Sequence, residues 1–511
     1  MADWTSGYIA DIAYTHGYFP ELNPLRMTLP FLNVGLVPPQ CGTACELGFG
    51  QGVSANIHAA ASVTTWYGTD FNPSQASYAQ ELARASGAHP QLRDQAFEEF
   101  CNRADLPDFD YIGLHGIWSW INDENRAVIV DFIRRKLKVG GVVYVSYNTM
   151  PGWAAFAPMR HLITEHAKVI GSEGSGIISR IDGAIHFAEK LLETNPAYVQ
   201  ANPQVSERVK LIKSQNRHYL AHEFFNRDWH PMHFATMATW LSPAKLTYAC
   251  SANYIDHIPA ANLTTDQQAF LLQIPDTMMR QTVRDFMVNQ QFRKDYWVKG
   301  PRTLSALDRS EELRNVKVVL LSQLSDVSLK VKGAIGEVGM SESIYSPILA
   351  LLGDFKPHSL GSLESALVGA NITLAQIVEA CILLCGTGYI DLVQSEAAGA
   401  KVRKGTDKLN AHLIKSARSN ADTPTLSSPV TGGGISVGRF QQLFLLGINQ
   451  GRKTSIDLAA YVWQILAAQG QQLIKDGKAL DTPEANLAEL TQQADAFVAK
   501  QLPILKALQV V

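Results

Sequence analysis

Cys45-Glu46-Leu47-Gly48-Phe49-Gly50-Gln51-Gly52-Val53 is an apolar run that passes through three glycines into a helix-forming stretch. Glycines at a first strand–helix turn let the backbone approach a ligand closely, and the helix amino terminus that follows favours electron-rich groups. The dinucleotide fingerprint G-x-G-x-x-G would need its third glycine at position 53, which is valine. The glycines fall instead at 48, 50 and 52, with Glu46 two residues before the first. That arrangement points to a nucleotide-type cofactor held at this turn.

Outward from the turn, residues 42–148 alternate short apolar runs with helical stretches, the mark of a parallel sheet with crossover helices. Strands are predicted at 43–47, 66–69, 110–114 and 142–147. Helices are predicted at 53–61, 74–85 and 124–137, the second opened by Asn72-Pro73-Ser74 and the last closed by Gly140-Gly141. The fold class is therefore α/β, a doubly wound Rossmann-like sheet. After Pro151 the pattern turns helical (154–170 and 179–192), broken by the glycine-rich 171–176. Strand-like runs at 245–250 and 316–321 are expected to be late strands of the same sheet, with the helical material inserted between them. Three helical patterns at 344–352, 360–368 and 374–384, then a tight Gly386-Thr387-Gly388 and a strand at 389–393, resemble a winged-helix module. Residues 401–406 read as a basic linker, 427–434 as a glycine-rich loop, and 456–474 and 484–508 as amphipathic helices. The expected division is a cofactor-binding unit at 1–153, a helical insertion at 154–243, and late strands with a regulatory region at 244–325. A winged-helix-like middle domain at 326–400 and a carboxy-terminal domain at 401–511 complete it.

Composition agrees with several domains. The 511 residues are 46% apolar and 18% charged, below the roughly 25% charged of an average chain. Low charge implies extra contact surface, and the helical unit after Pro151 is where a homodimer interface is expected. A formal net charge of −3 gives no field for steering toward nucleic acid. The helix at 374–385 carries no Lys or Arg, which argues further against a DNA reader. Apolar runs fall far short of the ~18 residues of a membrane span. The opening Met1-Ala2-Asp3-Trp4-Thr5-Ser6-Gly7 lacks the features of a secretory signal, so a cytoplasmic location is expected. Six scattered cysteines without a C-x-x-C pair indicate neither disulfides nor zinc, and Cys381 and Cys385, one helical turn apart, read as buried thiols. His222-Glu223, with His230 and His233 beyond, lacks metalloprotease spacing, and no metal is expected.

Further residues converge on the first turn. Asp70 ends the second strand 22 residues beyond Gly48, where a carboxylate accepts hydrogen bonds from two ribose hydroxyls. Phe49 and Phe71 flank these positions, and Asp94 with Phe97 stands where an adenine contact is expected. The fourth strand delivers His115, Gly116, Trp118 and Trp120 to the ligand crevice, although a strand histidine is also a common structural residue. The fifth strand brings Tyr147, Asn148 and Trp153 to the same edge. The aromatic cluster Tyr8, Tyr14, His16, Tyr18 and Phe19 reads either as a lid or as an apolar element packed on the sheet, and Tyr8, Tyr14 and Tyr18 are expected, with Trp153, to line the substrate cavity. Residues 219–234, rich in polar aromatics, place Tyr219, His222 and Glu223 as candidate cavity-lining residues.

The E-x-G-x-G-x-G spacing resembles motif I of class I methyltransferases that bind S-adenosylmethionine. Asn148-Thr149-Met150-Pro151 is not the Asn-Pro-Pro-Tyr box of amide and adenine methyltransferases. Residues 46–52, 112–120, 146–153, 219–226 and 292–300 together resemble bacterial methyltransferases with a methyltransferase regulatory domain, of which the rickettsial outer-membrane-protein lysine methyltransferases are members. The resemblance covers roughly the first 300 residues and is looser beyond. It implies a SAM-binding domain, a helical dimerisation insertion, a middle domain and a carboxy-terminal domain around an open cavity that admits a protein substrate. Glu46, Gly48, Gly50 and Gly52 would cradle the methionine end and Asp70 the ribose, while His115, Trp118, Tyr147 and Asn148 would flank the methyl group. Three functions fit: a protein lysine N-methyltransferase, a small-molecule methyltransferase, and a SAM-binding regulatory or scaffold protein.

Overall fold

The computed structural model describes residues 15–171, 174 and 176–511. Seven strands, β1 (Thr43–Leu47), β2 (Thr65–Thr69), β3 (Gln91–Arg93), β4 (Phe109–Leu114), β5 (Leu137–Asn148), β6 (Leu246–Ser251) and β7 (Phe292–Lys299), form one sheet. Their order is β3-β2-β1-β4-β5-β7-β6. The first five run parallel, and β7 lies antiparallel between β5 and β6. The expected doubly wound sheet is therefore present, and the chain reverses its strand order beside β1, where such sheets bind ligands.

Local chemistry accounts for the crossovers. The helix Pro73–Ser86 starts where Asn72 accepts from the Ser74 N–H and Pro73 occupies the first turn, and it ends at a left-handed Gly87. The helix Asp123–Lys136 is capped by Asn122, and Leu137 begins β5 without a connecting loop. Gly140-Gly141, expected to end that helix, lies inside the strand. Gly140 has φ +83°, and the register between β4 and β5 shifts at this bulge.

Residues 316–321 do not join the main sheet. They supply β8 (Lys317–Leu320), while β9 (Lys330–Gly333) and β10 (Gly336–Gly339) form a hairpin of their own. β8 pairs with β11 (His358–Ser359) and β12 (Ile390–Leu392) in a separate three-stranded sheet. The strand missed in its place, β7, conceals itself by carrying Arg293 and Asp295, both fully paired in the interior. The helices Glu342–Leu352, Leu360–Leu367 and Leu374–Gly386 pack on the small sheet around Ile348, Leu360, Ile377 and Leu384. Cys381 and Cys385 are buried there, and burial raises both thiol pKa values.

Between β5 and β6 the chain forms a helical insertion whose main helices are Ala157–Val169, Ile177–Glu193, Gln204–Ser214 and Arg217–Phe224. Phe156, Ile163, Ile181, Ile185 and Leu220 form its own core. Further on, residues 401–406 are not a linker but the interior of the helix Glu396–Ser416, which Ser395 caps. Lysine and arginine are good helix formers, and the helix buries Leu409, Leu413 and Ile414 against Val53, Ile57 and Leu82. Residues 427–434 are not an open loop either. They span the tight hairpin of β13 (Thr425–Ser428) and β14 (Gly433–Ser436). The predicted helix at 456–474 stops earlier, as Ser455–Ala468, whereas Pro483–Ala496 continues through Phe497–Gln501 into Leu502–Ala507. Among the described residues no single helix is long and apolar enough to cross a membrane.

Candidate active site

A pocket opens at the carboxyl ends of β1, β2 and β4, lined by Glu46, Gly48, Phe49, Gly50 and Gln51 from the first turn. Gly48 has φ +73°, and a side chain there would meet Ile117 Cδ1 at 2.4 Å. Gly52 caps the helix Val53–Ala61 at φ +68° rather than lining the pocket, and a Cβ there would lie 2.5 Å from that of Ala79. Both positions require glycine.

Two carboxylates face each other across this turn. Asp70 Oδ2 accepts from the Gly50 N–H at 2.9 Å and Oδ1 from the Asn72 N–H at 3.0 Å. Gln75, with its amide nitrogen turned inward, donates to both oxygens at 3.0 and 3.2 Å. Burial outweighs these bonds and raises the Asp70 pKa to about 6. Glu46 is 3% exposed, and among the described residues its Oε2 has no hydrogen-bond partner. Burial, and next the Asp70 charge, push its pKa up to about 8. A buried carboxylate oxygen without a partner is costly, and an ammonium group in the pocket would satisfy it. Phe71, Phe97 and Ile117 add apolar walls. Asp94, expected at an adenine contact, is exposed and outside the lining. The Thr69 hydroxyl donates to the Gln95 carbonyl, and it is Gln95, Ala96 and Phe97 that turn into the pocket.

These charges make a test. The Glu46 pKa lies above its unfolded value, so the folded state binds the extra proton. Its contribution to stability is complete below the ordinary carboxylate range and is lost as the pH rises toward 8. The melting temperature of ligand-free protein should therefore fall from pH 5 to pH 8 more steeply in wild type than in Glu46→Gln. Equal slopes in differential scanning fluorimetry would remove Glu46 as the cause.

His115 sits at the end of β4, its ring stacked on Phe19 with centroids 3.7 Å apart and Nδ1 2.8 Å from the Tyr144 hydroxyl. Burial lowers its pKa to about 4 against the opposing pull of Glu21, so the imidazole is neutral near pH 7. On β5 the two-residue period divides the expected residues. Tyr144, Ser146 and Asn148 face the site: Ser146 Oγ accepts from the Gly116 N–H at 2.8 Å, and Asn148 lines an adjoining cavity. Tyr147 points to the opposite face, where its hydroxyl donates to Asp295 Oδ2 at 3.0 Å, and it does not reach the reaction centre. Trp118 is likewise in the core, its Nε1 3.3 Å from Met232 Sδ. Trp120, two residues on, lines the site instead.

The adjoining cavity, about 1010 Å³, is bounded by β5 and the helical insertion, with Asn148, Trp153, Phe156, Arg208 and Tyr219 in its wall. Trp153 Nε1 donates to the Gln291 carbonyl at 2.8 Å, and the Arg208 guanidinium lies 3.9 Å from its ring centre. Burial, and then Glu223, push the Tyr219 pKa up to about 12. Phe19, His115, Gly116, Trp120 and Glu223 line both spaces, so the two share a wall. His222 lines the first pocket only. Tyr18, expected near the substrate, lines neither, and Tyr8 and Tyr14 lie outside the described residues. Arg208 and Gln75 were not foreseen, since neither stands in a recognisable motif.

A sheet in this order, with its antiparallel seventh strand and a glycine-walled pocket at β1, defines a class I methyltransferase fold. The chain belongs to the family of an uncharacterized protein of Synechocystis sp., to which it is 38% identical over 510 residues, 99% of each chain. Residues 216–299 match the family described as "predicted methyltransferase regulatory domain". An uncharacterized protein of Rickettsia prowazekii is 25% identical over 294 residues, 55% of this chain and 51% of that one. Among solved structures, PKMT2 from Rickettsia typhi in complex with AdoHcy has a TM-score of 0.69 at 16% identity, covering 98% of this chain and all of that one. The likeness to a rickettsial protein thus extends in fold over 98% of the chain, beyond the first 300 residues where the sequence suggests it.

Proposed function

We propose that this protein is an S-adenosylmethionine-dependent methyltransferase whose acceptor is a lysine side chain of a protein. The observation that carries the reading is the wall shared by the two spaces: Phe19, His115, Gly116, Trp120 and Glu223 line both the pocket at the first turn, which offers Asp70 to a ribose and Glu46 to an ammonium, and a second cavity beside it. At about 1010 Å³, that cavity is at the top of the ~300–1,000 Å³ range of ordinary small-molecule sites. It has room for a side chain with flanking backbone.

Within this reading Asp70 accepts from the ribose hydroxyls, Glu46 takes the cofactor's ammonium, and Phe71 and Phe97 cover the adenine. When bound, S-adenosylmethionine supplies an electrophilic methyl group. The protein's task is to bring an uncharged amine in line with that methyl and to exclude water. Phe19, Trp120, Trp153 and Tyr219 form the aromatic surroundings of the amine, whose desolvation lowers its pKa and releases its proton. Glu223, at the seam, draws the incoming ammonium by charge, and the proton passes to solvent as the amine moves beyond it into the aromatic surroundings, before water is excluded. Neutral His115 is too weak a base to remove it and serves as a wall, held by Tyr144 and Phe19.

We divide the labour along the chain as cofactor binding at 1–153, acceptor binding and contact with a second copy at 154–243, and completion of the sheet by β6 and β7 within 244–325. Units at 326–400 and 401–511 line neither space, and the latter packs on the first unit through Val53, Ile57 and Leu82. The insertion exposes Val169, Ile170 and Ile178, which supports a homodimer through that surface, acting in the cytoplasm. The test is incubation with labelled S-adenosylmethionine and a cell-envelope extract, followed by peptide mass spectrometry. Methyl-lysine that disappears with Glu223→Gln is expected. Label confined to small molecules would sink the lysine reading.

A further inference from the structure

The segment before the first helix divides its side chains between two neighbours. Thr15, Gly17 and Phe19 line the cofactor pocket. Gly17 lies directly over the Phe19 ring: a Cβ there would be 2.6 Å from Phe19 Cζ. Phe19 in turn stacks on His115 and donates its N–H to Ser54 Oγ at 2.9 Å. The residues between them turn away, toward sequence some 400 positions later. His16 sets its ring edge-on to Tyr78, whose hydroxyl is 3.2 Å from Thr423 Oγ1. The Tyr18 oxygen accepts from the Gly434 N–H on β14 at 2.7 Å and shares a hydrogen bond with His58 Nε2 at 3.2 Å. Backbone at Gly433 and Gly434 packs so closely on Tyr18 that a Cβ at either would stand 2.7 Å from its hydroxyl or 2.9 Å from Cζ. Further along, Asn23 Nδ2 donates to the Thr431 carbonyl at 3.4 Å, and Arg26 Nη1 pairs with Asp391 Oδ1 at 2.5 Å.

We propose that Tyr18 is a positioning residue through which the β13–β14 hairpin holds residues 15–19 over the cofactor pocket, so that the carboxy-terminal part of the chain sets cofactor affinity. Tyr18 and the hairpin touch no part of the pocket. They act through Phe19, one peptide bond away, and through the stack on His115. The inference rests on the cofactor reading given above and needs no assumption about the acceptor.

Calorimetry with S-adenosylhomocysteine on the full-length protein tests it. Tyr18→Phe leaves the Gly434 N–H without its acceptor, and about ten-fold weaker binding is expected from an unsatisfied buried donor. The KM for S-adenosylmethionine should rise in parallel, while kcat at saturating cofactor stays within about two-fold. Gly433→Ala, whose Cβ would meet the Tyr18 hydroxyl first, at 2.7 Å, should weaken binding in the same direction. A lower melting temperature with wild-type affinity in Tyr18→Phe would make the residue merely structural and overturn the proposal. Wild-type protein that binds no S-adenosylhomocysteine would overturn the cofactor reading itself. Hydrogen exchange on wild-type protein provides a check that needs no variant. The cofactor product should slow exchange of the Gly434 amide although that residue lies outside the pocket, and an unchanged rate there also rejects the coupling.

Discussion

Asp70→Ala should bind S-adenosylhomocysteine on the order of 100-fold more weakly than wild type, the loss expected when two charge-assisted hydrogen bonds disappear. The size follows from what surrounds this carboxylate. Gly50, Asn72 and Gln75 donate to it from one side, fixing its oxygens at the pocket wall before any ligand arrives. Removing it therefore also frees the turn that carries Gly50. Asp70→Asn should recover part of the fold's order and little of the affinity, since an amide offers one acceptor in place of two. With the Asp70 pKa near 6, wild-type affinity should also decline as the pH drops below that value. If Asp70 served only to cap a turn, calorimetry would show unchanged affinity in Asp70→Ala with a slightly lower melting temperature.

Arg293→Leu should cost about 3–5 kcal/mol, as removal of one partner from a buried ion pair does. Arg293 lies on β7 with its side chain 3% exposed, between Asp285 at 2.6 Å and Asp295 at 2.9 Å. Its remaining nitrogen reaches Gln281 at 3.1 Å and Tyr248 at 3.3 Å. Leucine would leave two carboxylates buried with no counter-charge. They would then hold protons in the folded state, so the variant's deficit should be smaller at pH 5 than at pH 8. Urea unfolding at both pH values checks this, and a loss under about 1 kcal/mol would mean that water reaches the cluster. Arg293→Lys should not rescue it, because an ammonium cannot span the same three directions.

Much of the candidate site was legible because its pocket depends on backbone geometry that leaves a mark in residue types. Glu46, the glycines at 48, 50 and 52, and Asp70 have fixed places relative to strand ends, and the structure gathers all but Gly52 around one pocket. Side chains one position apart on a strand proved harder. Tyr147 and Asn148 are equally plausible in sequence, yet they face opposite sides of the sheet, and only the register of β5 against β4 decides between them. Trp118 and Trp120 differ in the same way across one turn. Beyond residue 300 the local patterns found helices but not their extents, because a basic run such as 401–406 looks the same in a linker and on the wet face of a helix. Its burial partners, Val53 and Ile57, lie some 350 residues earlier. Tyr18 was misjudged for the same reason: its neighbours are at the far end of the chain.

The match to a regulatory domain covers residues 216–299, and that span contains both β6 and β7. The boundary implied by the word "regulatory" therefore runs between hydrogen-bonded neighbours, since β7 pairs with β5 along seven residues. A chain cut ahead of residue 216 would present the whole edge of β5 as an open template for other strands. What resembles an accessory module is thus the closing margin of the seven-stranded sheet itself.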